Sequence, residues 1–322
     1  MAAISSELRT RSDAPRFDPT PGRVRYSPRW LGASASLGML SLLTMARGGL
    51  PAAAALGLAG VAGAVYATTI EPRNPELTRL TLEFANLPPA LDGIRIGQLS
   101  DMHLGNPFSA RNSRWAVERM HEERPDMIAL TGDFVSYDHA IAELPAILAP
   151  LNAPLGMFAV PGNHDYWEGL NHIRRLLEPL GVEFLINHGK VIPVGDDALY
   201  VAGVDDLWDG HPDLDAALAE RPAGMWSLLL AHAPDIADAA AAQGVELQLS
   251  GHTHGGHLCL PYLGSFCLPR HGWIYSNGHA QAGTMQVYVS RGLGGLPLRL
   301  GCRPEAIIFT LRRARYSREH NG

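Results

Sequence analysis

The chain has 322 residues, 46% of them hydrophobic and 18% charged, which suits one globular domain with something added. A formal charge of −6 argues against a nucleic-acid coat, because phosphate binding of that kind needs a basic field. The three cysteines, Cys259, Cys267 and Cys302, are odd in number and lack CxxC spacing, so a disulfide framework is not expected, and at most Cys259 and Cys267 pair.

The added part comes first in the chain. Residues 1–29 form a basic flank carrying Arg9, Arg11, Arg16, Arg23, Arg25 and Arg29. Two apolar stretches come next, 31–46 and 50–70, interrupted only by Arg47, Gly48 and Gly49. A bilayer span takes about 20 apolar residues, with about 17 as the lower limit, so residues 30–70 read as a membrane anchor of one or two transmembrane helices. A cleaved signal peptide fits poorly, since the apolar region is too long and starts too far from Met1. The basic flank stays in the cytoplasm by the positive-inside tendency. Two spans return the rest of the chain to the cytoplasm; one span places it outside. The expectation is that the rest of the chain lies on the cytoplasmic face of the membrane. The competing reading, a buried Ala/Gly-rich helical pair, demands uncharged runs that are rare in soluble folds.

Residues 71–93 read as a linker and first strand, 94–315 as the main domain and 316–322 as a tail. Within the domain, short apolar runs at 94–100, 127–132, 156–162, 198–204, 226–232, 245–251 and 285–292 alternate with helical patterns such as 109–124 and 166–181. Strands alternating with helices mean βαβ units and largely buried sheets, an α/β class.

The chemistry lies just past the end of each strand. DMHLG supplies Asp101 and His103, GDF supplies Asp133, and GNHD supplies Asn163, His164 and Asp165. The run 226–232 ends at His232, and GHTHGGH supplies His252, His254 and His257. In open α/β sheets the carboxyl edge is where ligands bind, so these side chains should meet there. Imidazole and carboxylate together suit Mn, Fe, Zn or Ni, and the number of donors exceeds what one ion needs. Two ions sharing a carboxylate are the usual clamp for phosphoryl chemistry. A structural zinc site is not expected, because no cysteine accompanies the cluster.

D-x-H, GD, GNHD, a lone His and GHTH, in that order between Ile94 and Leu311, resemble the calcineurin-like metallophosphoesterase superfamily. In detail DMHLG, GHTHGGH and the tail VSRGLGGLPLRLGCRPE are similar to a bacterial, membrane-associated phosphodiesterase branch, which is itself similar to UDP-diacylglucosamine pyrophosphatases of lipid A synthesis. The resemblance implies two mixed β-sheets in a sandwich flanked by helices. It implies one divalent ion, Mn²⁺ foremost, on Asp101, His103, Asp133 and His254, and a second on Asp133, Asn163, His232 and His252. His164 would face the substrate and protonate the leaving oxygen, with Asp165 orienting its imidazole, while a hydroxide bridging the ions attacks phosphorus.

Other residues carry weaker expectations. His257 hydrogen-bonds near the metals or touches substrate, and Arg291 pairs bidentately with phosphate. The glycines of 290–295 either cradle phosphate or make a turn. His271 and His279 lie in a loop region that could touch substrate; His121, His139, His172, His188 and His211 are expected at the surface. Segment 258–280 is apolar and aromatic for a loop. Together with the anchor it suggests a phosphorylated lipid or nucleotide-lipid substrate, against the reading that it only packs over the core. A phosphodiesterase for soluble substrates that is merely anchored, and a non-catalytic scaffold, are the alternatives; no protein partner is indicated.

Overall fold

The structure, a computed structural model, describes residues 25–314. Most of the basic flank and the tail 316–322 lie outside the described residues. Twelve strands build the domain: β1 (Glu76–Phe84), β2 (Arg95–Leu99), β3 (Met127–Leu130), β4 (Met157–Ala159), β5 (Val182–Phe184), β6 (His188–Val194), β7 (Asp197–Gly203), β8 (Ser227–Leu230), β9 (Leu247–Ser250), β10 (Gly278–Ala282), β11 (Met285–Val289) and β12 (Glu305–Arg313). The helices are α1 (Pro28–Val65), α2 (Ser109–Glu123), α3 (Leu144–Leu148), α4 (Asn163–Glu168), α5 (Leu170–Leu177), α6 (Leu214–Leu218) and α7 (Ala237–Ala242).

The strands form two six-stranded sheets, ordered β1-β12-β2-β3-β4-β5 and β10-β11-β9-β8-β7-β6. In the first, β2 to β5 run parallel and β12 is antiparallel to β2. In the second, β11, β9, β8 and β7 run parallel between antiparallel edges. The mixed two-sheet architecture implied by the motifs is the one found. Its core comes from both inner faces, Ile96, Phe158 and Phe309 meeting Val201, Leu228 and Tyr288. The outer faces are equally apolar, because parallel strands covered on both sides have no polar face. Ile128 and Leu130 of β3 point outward to Met120 of α2 and Leu177 of α5, while Met127 and Ala129 point into the sandwich. Ala217 of α6 and Ala237 of α7 cover the second sheet in the same way.

All seven apolar runs hold a strand, each ending before its polar residues begin to turn. The pattern 166–181 does not make one helix. Gly169, at φ 123°, breaks it into α4 and α5, and Gly181 stops the last turn. Strand β6 is a half-exposed edge carrying Pro193, so it lacks the apolar signal of its neighbours.

Ahead of the domain, α1 and the turns after it, 28–73, are long and apolar enough to cross a membrane. Nothing in α1 is buried, and Gly49 (φ 61°, ψ −153°) is non-helical, a backbone region essentially reserved for glycine. Both ends of this segment dock on the same part of the domain. At one end the Ser27 amide donates to Phe266 O (2.9 Å) and Trp30 Nε1 to Gly264 O (2.8 Å). At the other the Arg299 amide donates to Ala67 O (2.8 Å) and the Cys302 amide to Glu71 Oε1 (2.8 Å). The two docking places are neighbours, since Phe266 N donates to Leu258 O and Cys259 N to Leu300 O, both at 2.8 Å. A straight helix of this length would reach roughly 70 Å. The chain therefore reverses at Gly49, and α1 is a helical hairpin.

Candidate metal centre

Each polar motif lies directly after a strand, and its backbone is bent to deliver the side chains. Asp101, His103, Asp133, His252 and His254 have φ of 50°, 47°, 54°, 74° and 51°. Such conformations cost about 1–3 kcal/mol each away from glycine and persist only where the surroundings enforce them. The enforcement is visible here. A Cβ on Gly251 would lie 2.1 Å from Asp101 Oδ2, and one on Gly294 2.1 Å from Met102 O, so only glycine lets these loops close on one another.

The result is a buried cluster in which Asp133 belongs to two sets of donors. Asp101, His103 and His254 bring their ligand atoms together, and so do Asp133, His232 and His252; a further set joins Asp133 to His103 and His164. His103 Nε2 lies 3.4 Å from Asp133 Oδ2 and 3.1 Å from His254 Nε2, which is 3.4 Å from Asp101 Oδ1. His232 Nε2 lies 3.3 Å from Asp133 Oδ2 and 3.2 Å from His252 Nδ1. The outward nitrogens are fastened. His232 Nδ1 donates to Thr131 O (2.7 Å) and His252 Nε2 to Arg270 O (2.7 Å), while His103 Nδ1 meets Ser136 Oγ (2.8 Å).

Those bonds test whether cations fit. A carbonyl only accepts, so His232 Nδ1 and His252 Nε2 each carry a proton outward, and the inward nitrogens, His232 Nε2 and His252 Nδ1, converge beside Asp133. These donors meet at 3.2–3.3 Å, and although burial opposes a charge on His232, Asp133, Asp101 and Asp206 hold its imidazole well above the ordinary value, so the place where they meet calls for positive charge. Asn163 Oδ1, on the cavity wall, is buried with no hydrogen-bond partner, a further acceptor facing the same need. Burial pushes the Asp101 carboxyl up to about 6, with His232 opposing and Asp133 adding to the shift. Burial opposes ionisation of Asp133 too, yet the His232 imidazolium beside it holds it well below the usual carboxylate range. Burial also keeps His103 and His254 neutral, the state in which imidazole binds metal. This donor set fits two divalent ions and fits neither an empty polar core nor a cysteine-type zinc site.

Two expected roles change in the structure. Asp165 does not orient the His164 imidazole. Its carboxylate accepts from the amides of Asp133 (2.9 Å), Phe134 (2.8 Å) and Gly162 (2.8 Å), because as third residue of α4 it reaches back to cap the helix and to brace the Asp133 loop. Arg291 does not face substrate. Its guanidinium pairs with Glu76 (2.8 Å) and with fully buried Glu305, tying β1 to β12. The glycines after it make a turn, since the Leu293 and Gly294 amides donate to Ser100 O and Asp101 O. Cys259, Cys267 and Cys302 are free thiols.

His164 is half-buried between His103 and Trp167, with ring centroids at 4.6 and 4.4 Å, and its amide donates to Asp133 Oδ1 (2.9 Å). His257 stacks on His254 at 5.1 Å and lines the cavity. His279 is bonded to Gln286, and His121, His139, His172, His188 and His211 are exposed. The cavity, about 410 Å³, has the cluster as its floor and Tyr137, Trp167, Trp208, Pro269 and Leu296 as its rim. Of that rim the sequence marks only Pro269, within the apolar segment 258–280; it gives no sign of the rest, nor of Ser136 or Arg299. Arg299 is 1% exposed, donates to the carbonyls of Arg291 and Gly294 (both 2.6 Å), and sets Nη2 3.2 Å from His254 Nδ1. An arginine inside the apolar run LPLRL would mark such a buried brace.

The calcineurin-like phosphoesterase family model matches residues 94–256. This chain belongs to that family. The phosphoesterase is 36% identical over 274 residues to the uncharacterized metallophosphoesterase YkuE of Bacillus subtilis, covering 83% of this chain and 96% of that one. It is 34% identical over 269 residues to the phosphodiesterase YaeI of Escherichia coli, covering 80% and 96%. It is also 32% identical over 270 residues to a transmembrane protein with metallophosphoesterase domain of Danio rerio, covering 78% of this chain and 60% of that protein. The phosphoesterase is thus a metal-dependent phosphoric ester hydrolase, with donor clusters of the kind such an enzyme needs.

Proposed function

We propose that the protein is a phosphodiesterase or pyrophosphatase that uses two divalent ions, Mn²⁺ foremost, on a lipid-linked substrate at the cytoplasmic face of a bacterial inner membrane. The observation that carries this reading is Asp133, shared by two donor clusters at the floor of a cavity with an apolar, aromatic rim. The relative named a phosphodiesterase and the one named transmembrane support it.

Asp101, His103, Asp133 and His254 would hold one ion, and Asp133, Asn163, His232 and His252 the other. Two such ions acidify water and neutralise charge on phosphate oxygens. The rest falls to side chains. The Asn163 amide, fixed at the start of α4, presents its polar head to the cavity. His164 stands on the wall, where its ring can pass a proton to the departing oxygen. Trp167 packs on that ring and limits its motion, and Asp165 keeps the GNHD turn closed on the Asp133 loop. Tyr137, Trp208 and Leu296 exclude water from the cavity wall and offer apolar contact to a substrate's hydrocarbon part.

The test is hydrolysis by the full-length protein in detergent, with Mn²⁺ added or chelated. The substrates are an aryl phosphodiester, an aryl phosphomonoester and UDP-diacylglucosamine. Metal-dependent turnover of the lipid nucleotide far above both aryl esters is expected. Turnover of the aryl diester alone refutes the lipid substrate, and silence on all three with metal bound refutes catalysis. Protease protection in inverted vesicles checks the side: the domain should be digested there and protected in intact cells.

A further inference from the structure

The hairpin and the cavity share one wall. Arg25 and Tyr26 pair with Leu268 and Cys267, and Cys267 and Pro269 line the cavity. Leu296, also lining it, lies three residues before Arg299, whose amide is bonded to Ala67 at the hairpin's other end. Around these docking points the domain exposes its own large apolar side chains: Tyr262 is 95% exposed, Leu296 62% and Ile274 50%.

The two arms, residues 28–48 and 50–70, each rise roughly 30 Å at about 1.5 Å per residue, the thickness of a bilayer's hydrocarbon core. Leu37, Leu40, Leu42 and Leu43 are all exposed and, at 100° per residue, point to every side of their arm. A second copy of the chain would cover one side; only lipid covers all of them. The sole charge between residues 30 and 70 is Arg47, which sits beside the reversal at Gly49, where an arm emerges into the far headgroup layer.

We infer that the hairpin crosses the bilayer twice, and that by gripping the cavity wall at both ends it seats the cavity mouth on the leaflet surface. Tyr262, Ile274 and Leu296 then lie in the headgroup layer, and an amphiphilic phosphodiester reaches the floor without leaving its leaflet. The inference rests on the proposed phosphodiesterase reading only for what the cavity takes up; the seat itself is independent of turnover.

The experiment uses the full chain with Cys259→Ser and Cys267→Ser, leaving only buried Cys302. Single cysteines are placed at Leu50, next to the hairpin turn, and at exposed His121 on α2. A membrane-impermeant maleimide should label the Leu50→Cys variant from one side of the membrane and the His121→Cys variant from the other. Labelling of both from the same side overturns the double crossing. A fluorophore on Tyr262→Cys, in phosphatidylglycerol vesicles, should be quenched by headgroup spin-labelled lipid at least several-fold more than the same fluorophore on His121→Cys. Equal quenching at the two positions overturns the seat. Neither readout needs activity, so a dead phosphodiesterase assay would sink the proposed function and leave these results standing.

Discussion

On the cavity floor each imidazole of the two clusters comes just after a strand and has its outer nitrogen set against a neighbour; on the rim, Tyr137 and Leu296 sit in loops, 49% and 62% exposed. The floor is specified by position along the chain, because residues two to four places past a parallel strand are delivered to the shared edge. The rim is specified by where distant loops land. The floor carries the donor atoms and the rim the exposed apolar surface, so under the proposed function the two should differ in how they respond to change.

Replacing the shared carboxylate should have the largest effect. Asp133→Asn is expected to abolish Mn²⁺-dependent hydrolysis of the aryl diester while the melting temperature of the metal-free protein shifts little; retained turnover would refute the shared role. For His164→Ala the expected loss in kcat is on the order of 10²–10⁴, the range for a proton donor, with metal content by mass spectrometry unchanged. Loss of metal along with rate would instead make His164 a ligand, consistent with its place beside His103 and Asp133. Ser136→Ala removes the partner of His103 Nδ1 and should weaken metal binding about 10–100-fold, read by competition with a chelating dye.

On the rim, Leu296→Asp should raise KM for a lipid-linked substrate and leave kinetics on the aryl diester nearly unchanged; equal effects on both would erase the distinction between floor and rim. The smallest change concerns His271. Burial, with Arg270 adding, lowers its pKa to about 4, below the unfolded value near 6.5. A depressed pKa gives stability that is present above pH 6.5 and lost as pH falls toward 4. His271→Asn should therefore flatten the acid side of the melting-temperature profile over that window without moving its neutral value far.

The seven strands held in apolar runs, five of them leading into the motifs, and the seven candidate ligands are legible in sequence because buried parallel strands are continuous apolar runs and polar residues at their ends stand out. Edge strand β6 is not, since a half-exposed strand alternates and its Pro193 breaks the run. Asp165 and Arg291 mislead for one reason. Carboxylate beside imidazole, and guanidinium beside glycine, suggest catalysis when seen in one dimension, but their partners, the Asp133 and Phe134 amides and Glu305, come from elsewhere in the chain. Ser136 and Arg299 act on ligands about 33 and 45 residues away, a pairing that only folding reveals.

Strand β12 lies between β1 and β2, in nine-residue register with β1 from Glu305 beside Glu76 to Arg313 beside Phe84. The edge strand β1 therefore stays detached from the other strands of the first sheet until β12 has been made and has inserted between β1 and β2. By then the hairpin and all the motif residues have long been synthesised. Translation thus orders assembly: the helical hairpin is made first, and the first sheet is completed only after the metal-site motifs. A chain cut short between the metal-site motifs and Glu305 keeps every candidate ligand yet lacks the strand that joins β1 to β2, so loss of β12 should cost the sheet while every donor is still present in the chain.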